Sequence, residues 1–253
     1  MPTLKLQIRA SHFVMPKEGA GLDECEDAVG LDVEGGRFAV ADGATEAFDA
    51  GSWARALAEG WVGMEAAPLT VEEFKAWVAE EGKRLQESWS GRRLPWYAEE
   101  KARAGSFAAF VGLSFEGAGS GLRWRAIALG DACVVQRRGG AVRAAMPLSR
   151  AGEFNSCPAL VPSHGAALEA ALAHAVTAGG GAAAGDTFLL LSDAAAAWFF
   201  KLFEERAPLL EEFDSWLAAS DNGALAGLFR RERDAGRIKD DDVAVVRVAV
   251  EGF

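Results

Sequence analysis

Hydrophobic and polar residues follow two different periods along this chain, and the period changes in blocks. Alternation with a period of two predicts strands, whereas apolar residues three and four positions apart predict one face of a helix. The first block has the strand pattern, in Leu4–Ile8, Ala28–Val33 and Arg37–Ala41. Gly35 and Gly36 lie between the last two strands and predict a hairpin turn there.

The next block has the helical period and then returns to the strand pattern. Ser52–Met64 carries an apolar stripe, and Thr70 with Glu73 forms a capping box that opens a helix running to about Glu87. A short helix is expected between Pro95 and Arg103. Four consecutive strands follow, which we expect to form an antiparallel meander: Ser106–Phe115, Leu122–Leu129, Ala132–Arg138 and Ala141–Met146.

The last block begins with an irregular segment. Residues 147–164 hold three prolines and little periodicity, which predicts a surface loop or flap. Gly179–Gly185 predicts a flexible loop. A buried strand, three helices and a terminal strand are then expected at Phe188–Leu191, Ala194–Glu205, Pro208–Ala218, Asn222–Asp234 and Val243–Val250.

This order of elements predicts the fold class. Strands, helices, strands, helices and a final strand fit neither a strictly alternating parallel α/β fold nor an all-β fold. We expect an α+β protein, an α-β-β-α sandwich of two antiparallel sheets flanked by helices. The 253 residues contain no linker rich in Pro, Gly or Ser, so a single domain over residues 1–253 is expected.

Composition and charge exclude several classes of function. Half of the residues are hydrophobic, which excludes disorder as the main state. The 26 Lys and Arg against 37 Asp and Glu give a net charge of −11, so neither a nucleic acid nor an anionic membrane is an expected partner. Three cysteines without CxxC spacing and an N-terminus without a continuous apolar run favour a reducing, cytoplasmic location.

Most common catalytic motifs are absent from the sequence. The glycine run Gly117–Gly121 lies between two predicted strands and is therefore interpreted as a hairpin turn rather than a phosphate loop. No G-x-S-x-G nucleophile elbow occurs, and His12, His164 and His174 lack the spacing of a metal-binding pair.

Four aspartates share one unusual context, because each lies at the end of a predicted strand: Asp27, Asp42, Asp193 and Asp241. A carboxylate there is costly to bury unless it is paired or binds a cation. Acidic turns are common, so any one of the four is also explained as an ordinary turn or cap residue. Four acids that converge on one edge of a sandwich would suit Mg²⁺ or Mn²⁺.

Five ordered segments of the sequence resemble the motifs of the metal-dependent type-2C (PPM-type) serine/threonine protein phosphatases, and most of all a compact bacterial branch that also carries a Ser-His pair such as Ser11-His12. The resemblance covers the chain from about Ser11 to Val250. The segments are Cys25–Ala28, Phe38–Ala44, Leu129–Asp131, Gly185–Asp193 and Asp241–Val246.

The resemblance implies a fold, an activity and a metal centre. The family fold is the sandwich expected above. Family members hydrolyse phosphoserine and phosphothreonine in proteins, using a water that bridges two Mn²⁺ or Mg²⁺ ions. By this resemblance Asp42 would bridge the ions, Asp193 and Asp241 would hold one of them, and Asp27 would hold the other partly through water. The carbonyl of Gly43 would be a further ligand.

Several positions depart from the family pattern, and most of them lie in the shell that binds phosphate. The departing residues are Leu22 for a phosphate-binding Arg, Ala44 for a His, Ala194 for a Gly, Asp242 for an Asn and Ala244 for a Thr. His12, Arg9 or Lys17 could supply the missing phosphate contact. Two alternatives follow: a catalytically weak relative that serves as a regulatory or binding protein, and an acidic metal-binding protein of unrelated fold.

Overall fold

The computed structural model describes residues 6–68, 70–89, 96–117, 121–155, 157–165 and 167–252. Eleven strands lie in these ranges: β1 Leu6–Met15, β2 Asp27–Asp32, β3 Arg37–Gly43, β4 Phe107–Glu116, β5 Arg123–Leu129, β6 Cys133–Arg138, β7 Ala141–Met146, β8 Val161–Pro162, β9 Val176–Gly181, β10 Asp186–Leu191 and β11 Val243–Gly252. The α-helices of the same ranges are α1 Ala50–Gly63, α2 Val71–Trp89, α3 Trp96–Ala104, α4 Ala167–Leu172, α5 Asp193–Glu205, α6 Leu209–Ala218 and α7 Asn222–Asp234.

The strands form two antiparallel sheets that face each other. The first sheet has the order β1-β11-β10-β6-β7. The second has the order β2-β3-β4-β5-β9, and the short β8 pairs with β4 beside this path. The predicted fold class, two antiparallel sheets flanked by helices, is therefore confirmed.

Three apolar layers hold the sandwich together. The central layer lies between the sheets, where Phe38 and Phe188 are fully buried. The second layer joins the first sheet to α5, α6 and α7, and Phe13 stacks there on Phe229 with ring centroids 5.6 Å apart. The third joins the second sheet to α1 and α2 through residues such as Trp61. Each sheet thus buries both of its faces, which explains the many continuous apolar strands.

The helices that the sequence predicts lie close to their expected positions, whereas the short α4 was not predicted. The capping box is present as expected, since the Glu73 amide donates to Thr70 Oγ1 and the Thr70 amide donates to Glu73 Oε2, both at 3.1 Å. These bonds satisfy amide groups that the first turn of a helix otherwise leaves free. No helix in the described ranges is long and apolar enough to cross a membrane.

Two predictions about the strands are wrong. The four strands from β4 to β7 do not form one meander, because β4 and β5 belong to the second sheet whereas β6 and β7 belong to the first. The chain changes sheets at Gly130, whose φ of +105° suits only glycine well. The segment Gly179–Gly185 is not simply a flexible loop, since its first residues lie in β9, paired with β5. Residues 147–164 contain a 3₁₀ turn at Ala151–Glu153 and β8.

Candidate metal centre

One end of the sandwich gathers aspartates from both sheets. Asp27 begins β2 and lies directly opposite Asp42 in the antiparallel pairing of β2 with β3. Asp193 is the first residue of α5, immediately after β10. Asp241 lies just before β11. The predicted strand-end context therefore brings the four acids to the same end of the fold.

Asp27 and Asp42 form the inner part of this cluster. The side chain of Asp27 is buried, and burial together with the charges of Asp242 and Asp193 raises its pKa well above the usual value. Burial and the carboxylate of Asp27 also raise the pKa of Asp42. Two adjacent carboxylates of this kind are stable as anions only when a cation neutralises them.

The outer part of the cluster contains a lysine. Lys239 Nζ lies 2.5 Å from Asp241 Oδ2 and 3.4 Å from Asp193 Oδ2, so one ammonium group bridges two of the predicted metal ligands. The Asp193 amide points inward and donates a long, 3.4 Å hydrogen bond to Asp42 Oδ2. These contacts connect the inner and outer acids.

A fifth aspartate joins the cluster at the crossing between the sheets. Asp131 is buried between β5 and β6, and burial together with the charge of Asp193 raises its pKa to about 6. It lines a cavity of about 320 Å³ at this end of the sandwich. The cavity is lined by Asp42, Gly43, Ala44, Thr45, Glu46, Ala109, Asp131, Asn155, Pro158, Leu160, Asp193, Lys239 and Asp241.

Gly43 lies where the backbone of β3 meets α1. A Cβ added to this residue would lie 2.8 Å from the backbone of Ala50, so a larger residue would force the strand and the helix apart. Gly43 also donates its amide to the Glu26 carbonyl at 3.1 Å. The absence of a side chain therefore lets the backbone of β3 line the cavity.

Asp242 fixes the backbone beside the cluster. Its two carboxylate oxygens accept hydrogen bonds of 2.7 Å from the backbone amides of Lys17 and Glu26. Each oxygen accepts from a different amide, whereas an Asn would turn its NH₂ group, which is only a donor, toward one of the two amides. This explains the Asp at a position where the family pattern has Asn, and it fixes the segment that leads into Asp27.

The residues present fit a divalent cation in chemistry and in burial. Asp27 Oδ2 is a buried oxygen that has no hydrogen-bond partner in the structure, and an unpaired buried carboxylate oxygen is costly. The surrounding donors are carboxylate and carbonyl oxygens, which Mg²⁺ and Mn²⁺ prefer. Within the described residues, no three His, Cys, Asp or Glu side chains are already closed around a common point. Closing the cluster would bring like charges together and requires a cation between them.

The remaining predicted positions lie outside this cavity. His12 is exposed on β1, at the edge of the first sheet. Arg9 pairs with Glu251 and Lys17 pairs with Glu26. Leu22 is 70 % exposed on a 3₁₀ turn before β2. A role for His12 in phosphate binding thus stays a prediction that the cavity lining does not support.

Sequence reasoning did not assign a role to three residues that shape the centre: Ser192, Asp131 and Lys239. The Ser192 hydroxyl accepts a hydrogen bond from the Ala244 amide at 2.9 Å, and Ser192 lies beside Asp27, where it lowers the pKa of that carboxyl against the larger effect of burial. Ser192 and Asp131 both lie inside segments that carry the resemblance, and that was the available signal. No pattern in the sequence marked Lys239.

Solved structures with the same architecture cover nearly the whole chain. The catalytic domain of the serine/threonine phosphatase PstP, in complex with two manganese ions, is 16 % identical with a TM-score of 0.64, over 97 % of this chain and 99 % of that chain. PppA of Pseudomonas aeruginosa is 18 % identical with a TM-score of 0.59, over 98 % of both chains. The PPM phosphatase MsPP of Mycobacterium smegmatis, in complex with cacodylate, is 17 % identical with a TM-score of 0.52, over 95 % and 97 %.

No protein-family model and no curated protein matches the sequence. At such low identity, the likeness to the solved structures establishes the fold. This chain has the fold of the PPM-type serine/threonine phosphatases, as the ordered motifs implied.

Proposed function

We propose that this protein is a Mn²⁺- or Mg²⁺-dependent phosphatase that hydrolyses phosphoserine and phosphothreonine in proteins. The observation that carries the proposal is the convergence of Asp27, Asp42, Asp193 and Asp241 at one end of the sandwich, with a buried Asp27 oxygen that lacks a partner. The fold shared with PstP, whose catalytic domain was solved with two manganese ions, supports it.

The chain's own residues would hold two ions and shape the cavity around the phosphoester. Asp42 lies opposite Asp27 in the strand pairing and accepts a hydrogen bond from the Asp193 amide. Asp193 and Asp241 would hold one ion, Asp27 would hold the other, and Asp42 would contribute to both. Bound ions of this kind polarise a phosphoryl oxygen and supply a nucleophile from water at neutral pH. Among the described residues that line the cavity there is no histidine or cysteine, so no side-chain nucleophile of those types is available there.

The alternative is a catalytically weak protein that uses this fold for binding or regulation. The exposed Leu22 in place of a phosphate-binding Arg favours it, because the aliphatic side chain cannot donate a hydrogen bond to phosphate. Hydrolysis of p-nitrophenyl phosphate with and without Mn²⁺ separates this alternative from the leading proposal.

The metal centre is tested by Asp42→Ala and Asp193→Ala. Both variants should lose at least about 100-fold in Mn²⁺-dependent hydrolysis, since each removes a charged ligand. Without metal, the Asp42→Ala variant should melt at the same temperature as the unsubstituted protein or higher, because the raised pKa shows that the charge of Asp42 is unfavourable there. Melting curves with and without Mn²⁺ measure this.

Asp23→Ala is the matched control, because Asp23 is an exposed acid on the neighbouring 3₁₀ turn. It should keep both the activity and the Mn²⁺-induced rise in melting temperature. An undiminished rise in both Asp42→Ala and Asp193→Ala would show that these residues do not bind the ions.

We also propose a setting for this activity. A phosphorylated protein is the expected substrate, and the net charge of −11 speaks against nucleic acid and anionic membranes as partners. The three cysteines form no disulfide with one another in the described chain, and Cys25 and Cys133 are buried, which suits a cytoplasmic, reducing compartment. Residues 1–253 would act as one domain, and residues 147–164 as a flap beside the cavity, where Asn155 and Leu160 contribute to the lining.

A further inference from the structure

The centre contains a positive charge of its own. Lys239 lies in the segment between α7 and β11, two residues before Asp241. Its Nζ is within 3.4 Å of Asp193 Oδ2 and 2.5 Å of Asp241 Oδ2. These two side chains are largely covered, with 21 % and 26 % exposure, so water screens their charges only in part.

The ammonium and a divalent ion would use the same oxygen atoms. Asp193 and Asp241 are the pair proposed to hold one of the two ions. A carboxylate oxygen that accepts a hydrogen bond from an ammonium group at 2.5 Å cannot also receive a metal ion from that direction. The charges of the lysine and the ion would repel each other as well.

The ammonium group of Lys239 can also move out of the cluster. Its side chain is 65 % exposed, and a lysine stem carries its charged end into water at little cost in desolvation. Lys239 lines both the acidic cavity and an adjoining cavity of about 420 Å³, beside Phe154, Trp198 and Lys201. Its ammonium group therefore has space outside the cluster.

We propose that Lys239 is an internal counter-ion that occupies the place of one metal ion between Asp193 and Asp241, and that this ion must displace it to bind. The inference rests on the proposed function. It assigns Lys239 a positioning role: the lysine holds the outer acids together when metal is scarce and lowers the affinity of that ion site.

The test is Lys239→Met, measured by calorimetric titration of the metal-free protein with Mn²⁺. Removing the competing charge should tighten the binding of one ion by roughly 5- to 20-fold. A fully exposed ion pair would give a smaller change in affinity, but water screens this pair only in part. In the absence of metal, the variant should melt about 2 °C lower, since the acids lose their neutralising partner. The Mn²⁺-induced rise in melting temperature should be larger in this variant than in the unsubstituted protein.

Two variants serve as controls. Lys201→Met removes the same charge from the adjoining cavity, and within the described chain Lys201 has no ion pair with Asp193 or Asp241, so Mn²⁺ affinity should change by less than about twofold. Lys239→Arg keeps the charge and should retain the weak affinity of the unsubstituted protein.

The outcomes separate the inference from the proposed function. Tighter binding in Lys239→Met alone supports the inference. Equal tightening in Lys239→Met and Lys201→Met would reveal only a general charge effect and would overturn the inference. Unchanged affinity in Lys239→Met, while the unsubstituted protein binds two ions, would also overturn the inference. Either result would leave the phosphatase proposal intact. If neither the unsubstituted protein nor Lys239→Met binds Mn²⁺, both proposals are wrong.

Discussion

At the scale of single residues, the position of each acid decides what it contributes. Asp27 and Asp42 lie inside, where burial makes their charges unfavourable without a cation. Asp242 is also buried, but it accepts two amide hydrogen bonds and fixes the backbone instead. Identical side chains in neighbouring positions thus have different roles, because some carboxylate oxygens have hydrogen-bond donors and others do not.

Only part of this distinction could be predicted from the sequence. The strand-end context and the resemblance both selected Asp27, Asp42, Asp193 and Asp241, which the structure places together. Lys239 could not be predicted, because its contact with Asp193 joins residues 46 positions apart in the chain. The hydrogen-bond partners of Asp242 lie 225 and 216 positions away in the chain, so no local sequence pattern could reveal these contacts.

The missing phosphate-binding Arg leads to a prediction at this scale. If Leu22 leaves the substrate without a charge-assisted contact, Leu22→Arg should lower KM for p-nitrophenyl phosphate by about 10-fold, as expected for a hydrogen bond between charged groups. Its effect on kcat should be smaller when the contact acts equally in the ground and transition states. Steady-state kinetics at saturating Mn²⁺ provide the measurement.

His12→Ala and the double variant complete a mutant cycle. If His12 supplies the contact instead, His12→Ala should reduce turnover and Leu22→Arg should add little. If kcat and KM change by less than about twofold in every variant, both assignments are wrong. The phosphate contact would then have to come from residues 147–164.

At the scale of secondary-structure elements, periodicity predicted most of the bounds but not the pairing of strands. The apolar stripes place the ends of α1, α2 and α5 within about two residues of where they lie. The same patterns cannot show that β5 and β6 lie in different sheets, because a strand buried on both faces looks alike in either one. β9 was missed since its glycines carry no pattern. A Cβ on Gly180 would lie only 3.2 Å from Trp124 Nε1, so a side chain there would require the indole ring to shift.

One buried acid joins two strands of the first sheet. Asp186 begins β10 with a fully buried side chain that accepts hydrogen bonds from Arg138 Nη2 at 2.7 Å and from Gln136 Nε2 and the Ala183 amide at 2.9 Å. These donors keep the pKa of Asp186 below its usual value despite burial. The charge is therefore well compensated, unlike the charges of Asp27 and Asp42.

Asp186→Ala should reduce the free energy of unfolding by about 2 kcal/mol, because it leaves the buried Gln136 amide without its carboxylate acceptor and removes the ion pair with Arg138. Urea denaturation of the metal-free protein measures this. Arg9→Ala is a suitable comparison, since its pair with Glu251 is exposed on both sides and should contribute less than about 1 kcal/mol. Equal, small losses in the two variants would contradict a structural role for Asp186.

At the scale of the whole molecule, the two sheets contribute different parts of one centre. The second sheet supplies Asp27 and Asp42, and the elements after β10 and before β11 of the first sheet supply Asp193 and Asp241. The connection that changes sheets supplies Asp131. The acids come together only when both sheets have formed and packed, so the candidate metal centre and the sandwich depend on the same contacts.

The raised pKa values of the acids in this cluster predict how the stability of the protein varies with pH. The pKa of Asp131 is about 6 in the folded protein, above the value near 3.9 expected in the unfolded chain, and Asp27 and Asp42 shift in the same direction. The folded state therefore binds more protons than the unfolded state between these values, and the free energy of unfolding must fall as pH rises. The metal-free protein should melt at a higher temperature at pH 5 than at pH 7.5.

The reason is that burial disfavours the charged form of these carboxyl groups and their mutual repulsion adds to this, so protonation relieves both. The shift in the melting temperature between these pH values should be several degrees, since one displaced pKa unit corresponds to about 1.4 kcal/mol. Asp131→Asn removes one of the titrating groups and should flatten the dependence. Saturating Mn²⁺ should reverse it, because protons compete with the ion for the same oxygens. Scanning calorimetry of the metal-free and Mn²⁺-saturated protein at the two pH values checks both signs, and a metal-free protein that melts lower at pH 5 would show that these acids are not the dominant titrating groups.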